Sequence, residues 1–208
     1  MKLIIQVCEV GFLPTNCWLV RDTASGRSFA VDPGWYDETL EAALRRMGVE
    51  QLDYILLTHG HHDHTLGLAQ LNARFGGKIV LHESEQAFLT DDGLSLRHPA
   101  FAGLPRAEKA DVLVRDGDTL PFAQGEIRVL HTPGHTRGSV CYLLDDVLFA
   151  GDTLFRESVG RTDLPTGNTA QLLSSVRRLA ALKGDCRVLP GHGPETTLAH
   201  ERKYYPYL

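Results

Sequence analysis

The densest group of chemically active side chains is the segment HGHHDH, residues 59–64. It follows the apolar run Tyr54–Leu57, which predicts a buried strand. Side chains at positions i and i+2 of an extended segment point the same way, so His59 and His61 can bind one ion. Asp63 and His64 enter the following helix and can face a second ion. Imidazole nitrogens and carboxylate oxygens are natural ligands for zinc and similar metals.

Three further motifs place a His or an Asp just after a predicted strand, next to glycines that let the backbone turn sharply. They are PGH at 133–135, GD at 151–152 and PGHG at 190–193. Loops at strand ends usually present the functional groups of a rigid scaffold. The simplest assignment gives metal one His59, His61 and His135, and metal two Asp63, His64 and His192, with Asp152 as the bridge.

Two divalent ions in such a site predict hydrolysis of an activated carbonyl or phosphoryl centre. Each ion keeps an open position for water, which is the mark of a catalytic site. Binding to the metal lowers the pKa of water to roughly 7, so a metal-bound hydroxide is available as the nucleophile. Asp63 could also orient that nucleophile. We expect zinc, with iron or manganese as alternatives, because the same donors accept all three.

Other polar residues near these motifs have less decisive patterns. Arg161 could bind a substrate carboxylate, or pair internally with an acid such as Asp163. Asp32 could accept hydrogen bonds from ligand histidines, although shaping its turn is the default expectation. His62 is predicted to point away from the ions. The tail tyrosines, Tyr204, Tyr205 and Tyr207, are predicted to pack the C-terminus onto the domain rather than to form a pocket wall.

The elements that must position these residues follow from hydrophobic periodicity. Predicted strands are Leu3–Val10, Cys17–Arg21, Phe29–Val31, Tyr54–Leu57, Lys78–Leu81, Val112–Val114, Ile127–Leu130, Ser139–Leu144, Val147–Ala150 and Val188–Leu189. Predicted helices are Asp37–Met47, a segment from Leu66 to Phe75, and Thr169–Leu182. The stretch from Glu83 to Asp111 has a weak pattern and is interpreted as a partly helical surface excursion that could cover the site.

This order of strands and helices predicts an α+β fold of the αββα type, in which two mixed sheets pack face to face and helices cover both outer faces. A length of 208 residues suits one domain. The net charge of -5 and the absence of a long apolar run argue against nucleic-acid and membrane partners. The four scattered cysteines are expected to be reduced, which favours the cytoplasm.

The motifs THGHHDH (58–64), PGHT (133–136), GDTLF (151–155) and PGHGP (190–194) resemble, in order and spread, those of the metallo-β-lactamase superfamily. Asp152 stands where class B β-lactamases carry a cysteine, which is similar to the glyoxalase II branch. The resemblance implies an αββα fold and cleavage of a thioester such as S-lactoylglutathione. The chain is expected to be a single domain, residues 1–208, without the C-terminal helical domain of typical glyoxalase II.

Two other activities remain open within this superfamily. The segment GRTD at 160–163 also resembles persulfide dioxygenases. Those enzymes use one iron on two histidines and a carboxylate, a set that His59, His135 and Asp152 could supply. A nuclease or nucleic-acid-binding role is the third alternative, and the acidic net charge counts against it. The acyl group, the thiol and the oligomeric state are left open.

Overall fold

The computed structural model describes residues 1–205, and its strands form two six-stranded sheets and a short hairpin. The first sheet contains, in spatial order, β1 (Leu3–Val10), β2 (Thr15–Asp22), β3 (Ser28–Val31), β4 (Tyr54–Leu56), β5 (Lys78–His82) and β6 (Val112–Val114). Strands β1 to β3 are antiparallel neighbours, and β3 to β6 are parallel neighbours. The sheet is therefore mixed.

The remaining strands are β7 (Thr119–Phe122), β8 (Gly125–His131), β9 (Val140–Leu144), β10 (Val147–Gly151), β11 (Leu154–Phe155), β12 (Ser158–Val159), β13 (Arg187–Pro190) and β14 (Thr196–Thr197). Strands β11 and β12 form the hairpin. The others form the second sheet in the order β14-β13-β10-β9-β8-β7. Only the β10–β13 pair is parallel in this sheet, so it too is mixed.

The helices are α1 (Glu38–Arg46), α2 (His62–Thr65), α3 (Leu68–Phe75), α4 (Asp92–Ser95), α5 (Thr169–Ala180) and α6 (Leu198–Tyr204). Helices α1 and α3 cover the outer face of the first sheet, and α5 and α6 cover that of the second. Helix α1 begins at the N-cap Asp37, whose side chain accepts the amides of Thr39 and Leu40, as the predicted start requires. None of the helices described within residues 1–205 is long and apolar enough to cross a membrane.

Three apolar layers hold the sandwich together. The central layer joins the facing sides of the two sheets and includes Phe29, Phe122 and Phe149, whose rings pack edge to face. A second layer packs α1 and α3 onto the first sheet, and a third packs α5 and α6 onto the second sheet. This is the predicted αββα sandwich.

Some elements differ from the sequence prediction. Strand β7, the hairpin, β14 and α6 were not predicted, and the excursion from Glu83 contains two 3-10 helices, Glu83–Leu89 and Pro99–Phe101, besides α4. In the tail, Tyr205 is buried in the third layer while Tyr204 is half exposed. Both lie outside the pocket described below, and Tyr207 lies outside the described residues.

Candidate metal centre

The topology brings the four predicted motifs to one edge of the sandwich. Strands β8, β10 and β13 run in the same direction, so their carboxyl ends meet at that edge. The loops that follow them carry His135, Asp152 and His192. The loop after β4 of the first sheet carries residues 59–64 to the same place. All seven predicted ligands lie within the two groups described next or between them.

The first ligand group consists of His59, His61 and His135, each of which offers a nitrogen within 4.8 Å of the others. All three side chains are buried. The Nδ1 atom of His61 lies 3.0 Å from Nε2 of His135. This group therefore joins two residues from the first sheet to one from the second, as the assignment to metal one predicts.

The second ligand group consists of Asp63, His64 and His192. The Nε2 atoms of His64 and His192 are 3.3 Å apart. The Oδ2 atom of Asp63 lies 3.3 Å from Nε2 of His192 and 3.6 Å from Nε2 of His64. The same three residues are those predicted to hold metal two.

Asp152 lies between the two groups. Its Oδ2 atom is 3.5 Å from Nε2 of His135 in the first group and 3.6 Å from Nε2 of His192 in the second. Its Oδ1 atom is 3.5 Å from Nε2 of His64. A carboxylate that reaches both groups occupies the position that a bridging ligand requires.

Backbone carbonyls fix the orientation of two of the histidines. The Nδ1 atom of His135 lies 2.8 Å from the carbonyl oxygen of Arg161, and Nδ1 of His192 lies 2.7 Å from that of Pro14. A carbonyl oxygen can only accept, so each Nδ1 carries the proton and each Nε2 directs its lone pair into the centre. No residue type signals a carbonyl partner, so sequence reasoning missed both contacts.

Asp32 orients two further histidines, His64 directly and His59 through Thr58. Its buried carboxylate accepts the Nδ1 proton of His64 at 3.0 Å, the amide of Thr58 at 2.8 Å and the hydroxyl of Thr58 at 2.6 Å. Because the Thr58 hydroxyl donates to Asp32, its oxygen can accept the Nδ1 proton of His59, 3.1 Å away. The default expectation that Asp32 only shapes its turn was wrong.

These donors fit divalent metal ions. Within residues 1–205, Nε2 of His59 and Oδ1 of Asp152 are buried without a hydrogen-bond partner. Inward lone pairs repel one another unless a cation lies among them. Two ligands at 2.0–2.1 Å from a tetrahedral ion are about 3.3 Å apart, which is close to the 3.0 Å between His61 and His135 and to the 3.3–3.6 Å separations within the second group. The donor set and its spacing therefore suggest a dinuclear site.

Charge within the chain favours a cation at the same position. Burial, with the neighbouring imidazoles, holds the pKa of His59 well below its usual value and lowers that of His61 to about 3. Burial would also lower the pKa of His64, but the carboxylates of Asp152, Asp63 and Asp32 raise it to about 10. A site that attracts a proton so strongly also attracts a metal ion, which needs the same lone pair.

A pocket of about 490 Å³ opens over this centre. Its walls are apolar and consist of Leu13, Pro14, Leu96, Phe155 and Leu164. Leu96 belongs to the excursion after β5, which therefore covers part of the site as expected. Arg161 is at the rim, but its guanidinium forms two 2.7 Å hydrogen bonds to Asp163. The internal salt bridge is the alternative that the structure shows.

The turn that carries His192 is held by strand β2. The backbone amide of Asn16 donates to Gly191 at 2.7 Å, and the Asn16 side chain donates to the carbonyls of Pro190 and Gly193. The indole nitrogen of Trp18 also donates to Pro190, at 2.9 Å. These bonds connect the first sheet to the last ligand turn, a role that the apolar pattern of β2 did not reveal.

The other histidines lie outside both ligand groups. His62 points toward the carbonyl of Ser95 and stacks on Phe101, as its predicted orientation requires. His82 and His131 stack on each other with ring centroids 4.3 Å apart. His98 caps a 3-10 helix, and His200 pairs with Glu157.

The fold and this centre are those of the metallo-hydrolase superfamily. The chain belongs to the metallo-β-lactamase superfamily, whose family model matches residues 10–192. An uncharacterized protein of Aquifex aeolicus is 37% identical over 208 residues, covering 99% of this chain and 97% of its own. The hydroxyacylglutathione hydrolase GloC of Haemophilus influenzae is 33% identical and covers 98% and 97%.

Solved structures agree with this assignment. The B3 metallo-β-lactamase BLEG-1 superposes with a TM-score of 0.89 at 33% identity, covering 99% of each chain. TTHA1623, solved in a di-iron-bound form, gives 0.82 at 33% identity and covers 98% of this chain and all of its own. ETHE1 from Myxococcus xanthus gives 0.77 at 30% identity, covering 98% and 83%.

Proposed function

We propose that this protein is a metal-dependent hydrolase that cleaves a thioester, with S-lactoylglutathione as the first substrate to test. The main support for this proposal is the pair of ligand groups, which are joined through Asp152 at the floor of an open pocket. When bound, two divalent ions would acidify a water molecule and polarise a carbonyl oxygen. We expect zinc, with iron or manganese as alternatives.

Asp63 is suited to orient the attacking water. Its Oδ2 atom faces His64 and His192, so its second carboxylate oxygen can accept a proton from a water O–H. Burial would raise the pKa of Asp63, but the two imidazoles lower it below its usual value. The carboxylate is therefore ionised at neutral pH and available as an acceptor.

The pocket walls supply binding and desolvation. Leu96, Phe155 and Leu164 can contact the carbon skeleton of the acyl or thiol part and keep bulk water away from the carbonyl. Asp163 already neutralises Arg161, so the rim offers little charge for a substrate carboxylate. A thioester fits this chemistry because its thiolate leaves without protonation by a strong acid.

Similarity to GloC, a hydroxyacylglutathione hydrolase, supports a thioester as the bond that this protein cleaves. The di-iron-bound form of TTHA1623 supports two ions at one centre. Both proteins are similar over almost the whole of this chain.

The proposal predicts that His59→Ala loses metal and activity together. Removing an inward imidazole should lower the amount of metal bound per chain. It should also reduce thioester kcat/KM by more than about 100-fold, because loss of a ligand has a larger effect than loss of a contact that orients a ligand. Elemental analysis and a thioester assay measure the two quantities. His200→Ala, which removes a histidine outside both ligand groups, should change neither. Thioester turnover by a metal-free His59→Ala chain would refute the proposal.

A mononuclear iron persulfide dioxygenase is the second candidate. Structural similarity to ETHE1, a persulfide dioxygenase, favours it, as does the contact of Asp152 with His135 beside His59. Metal content combined with oxygen uptake on glutathione persulfide separates the two candidates. One iron per chain with oxygen consumption would replace the hydrolase proposal, whereas thioester cleavage without oxygen uptake supports it.

A further inference from the structure

Glu85 is a fully buried carboxylate next to the first ligand group. It lies on the 3-10 helix Glu83–Leu89, directly after β5, and none of its surface is exposed. Its Oε2 atom accepts a hydrogen bond from the backbone amide of Gly60, and its Oε1 atom accepts one from the amide of Gly138. The distance from nitrogen to oxygen is 2.9 Å in both bonds. Burying a carboxylate is costly unless its oxygens are hydrogen-bonded, and here both oxygens are.

The two amides belong to loops from opposite sheets. Gly60 lies between His59 and His61 in the loop that follows β4 of the first sheet. Gly138 follows His135 in the loop between β8 and β9 of the second sheet. A single carboxylate therefore connects the two loops that together supply all three histidines of the first ligand group.

The atoms around Gly60 and Gly138 leave no space for a side chain at either position. A Cβ atom on Gly60 would lie 2.3 Å from Cβ of Phe88, which is on the same 3-10 helix as Glu85. A Cβ atom on Gly138 would lie 2.7 Å from Cγ of Glu85. Real Cβ atoms do not approach so closely, so both loops reach the carboxylate only because glycine stands at these positions.

We propose that Glu85 is a positioning residue that sets the distance between the His59–His61 loop and His135, and thereby the metal affinity of the first ligand group. The inference rests on the metal centre of the proposed function. The second group has separate supports, because Asp32 orients His64 and the carbonyl of Pro14 orients His192.

A carboxylate suits this role better than an amide. Its two oxygens both accept, so it can bind two N–H groups at once, and the charge strengthens each bond. In Glu85→Gln, one end of the side chain becomes an NH2 donor that faces a backbone N–H. One loop must then move away, while the length and volume of the side chain stay nearly the same.

The test is a cobalt(II) titration of the metal-free chain, in which binding is monitored by calorimetry and by visible absorption. The wild-type chain should bind two ions. In Glu85→Gln, one binding event should weaken by about 10- to 100-fold, the usual effect of losing a contact that orients a ligand. The other event should keep its affinity. The absorption of the weakened site should also change, because ligand-field bands report geometry.

Glu201→Gln is the matched control. Glu201 is also fully buried and also uses both oxygens, accepting the Thr196 hydroxyl at 2.6 Å and the amide of Glu157 at 2.8 Å. It contacts neither ligand group. Its replacement should lower the melting temperature of the metal-free chain but leave both cobalt affinities and the spectrum at wild-type values.

Wild-type cobalt affinities and spectrum in Glu85→Gln would overturn this inference alone, and so would equal weakening of both events. A wild-type chain that binds no metal would overturn the proposed function with it. If Glu85→Gln does not fold, Gly138→Ala provides the same test, since the added methyl group displaces the Glu85 side chain. It should weaken the same single event, and unchanged affinities would again refute the inference.

Discussion

Each imidazole of the centre has two ends with different tasks. In four histidines, the Nδ1 proton is bound by an acceptor outside the cluster, and the unprotonated Nε2 faces inward, where it can bind a metal ion. These are His59, His64, His135 and His192. His61 is reversed, since its Nδ1 faces His135. The tautomer of a metal-binding histidine is set by the partner of its other nitrogen. The acceptors around the cluster therefore determine which nitrogen of these four histidines faces the metal site.

Asp32→Asn tests this point at the second ligand group. The amide end of asparagine cannot accept from every donor that Asp32 now serves, so His64 loses part of its orientation. We expect metal affinity at this group to fall about 10- to 100-fold, measured by competition with a chromophoric zinc chelator. Asp22→Asn is the control, because Asp22 is equally buried but binds Lys2 and Ser25, and it should leave the affinity unchanged.

Residue types alone predicted the ligand candidates of the centre but not the groups that orient them. The seven ligand candidates stand in short motifs after apolar strands, and the structure brings them together. Glu85 lies in a stretch of weak periodicity, where a buried glutamate looks the same as an exposed one. The choice between a substrate carboxylate and Asp163 as the partner of Arg161 also required coordinates, because only they show its pairing with Asp163.

Helix α5 illustrates how an element contributes to the site from a distance. It packs on the second sheet through Leu172, Val176 and Leu179. It also contacts the turn before His135, since the hydroxyl of Ser175 donates to the carbonyl of Pro133 at 2.8 Å. The helix therefore supports both the apolar layer and one ligand turn.

Leu172→Ala should lower the free energy of unfolding by about 2–5 kcal/mol, because it leaves a cavity beneath a fully buried position. Urea denaturation of the metal-free chain measures the change. The neighbouring Gln171 is exposed, and Gln171→Ala should stay within about 0.5 kcal/mol of the wild type. A similar loss in both variants would contradict the packing described for α5.

Elements with strong periodicity were predicted, and those stabilised by their position in the fold were missed. Helix α1 was predicted from its spacing and its terminal glycine, within one residue at each end. Strand β7 contains Pro121, which weakens a strand prediction, and it lies at the edge of its sheet, where proline is tolerated. The two-residue strand β14 has too few residues to show alternation.

The whole molecule is a sandwich whose halves meet at the ligand edge. The central apolar layer joins the sheets, and the first ligand group and Glu85 each connect them again beside the centre. Sequence could predict the layers, because strand and helix patterns alternate along the chain. It could not give the pairing of β10 with β13 in the second sheet, because these strands are distant in sequence.

The metal-free chain should be most stable near pH 6.5. Burial lowers the folded pKa of His61 to about 3 and of His82 to about 4, so their stabilisation is lost as the pH falls from about 6.5 toward these values. The folded pKa of His64 is about 10, so its contribution is lost as the pH rises from about 6.5 to 10. Thermal melting across this range, with a chelator present, measures the curve.

Replacing His82 by a neutral residue should flatten the acid side of that curve and leave the alkaline side unchanged. Replacing His64 should flatten the alkaline side, and it should also weaken the acid side because the charge of His64 contributes to the lowered pKa of His61. A stability profile that stays level from pH 4 to pH 10 would contradict both assignments.

The bond between Trp18 and the turn of His192 gives the chain an intrinsic optical reporter. Trp18 is nearly inaccessible to water, and its indole donates to the carbonyl two residues before this histidine. Emission from an indole depends on its hydrogen bond and on the polarity around it. The emission of Trp18, once separated from that of Trp35, therefore follows the position of this turn.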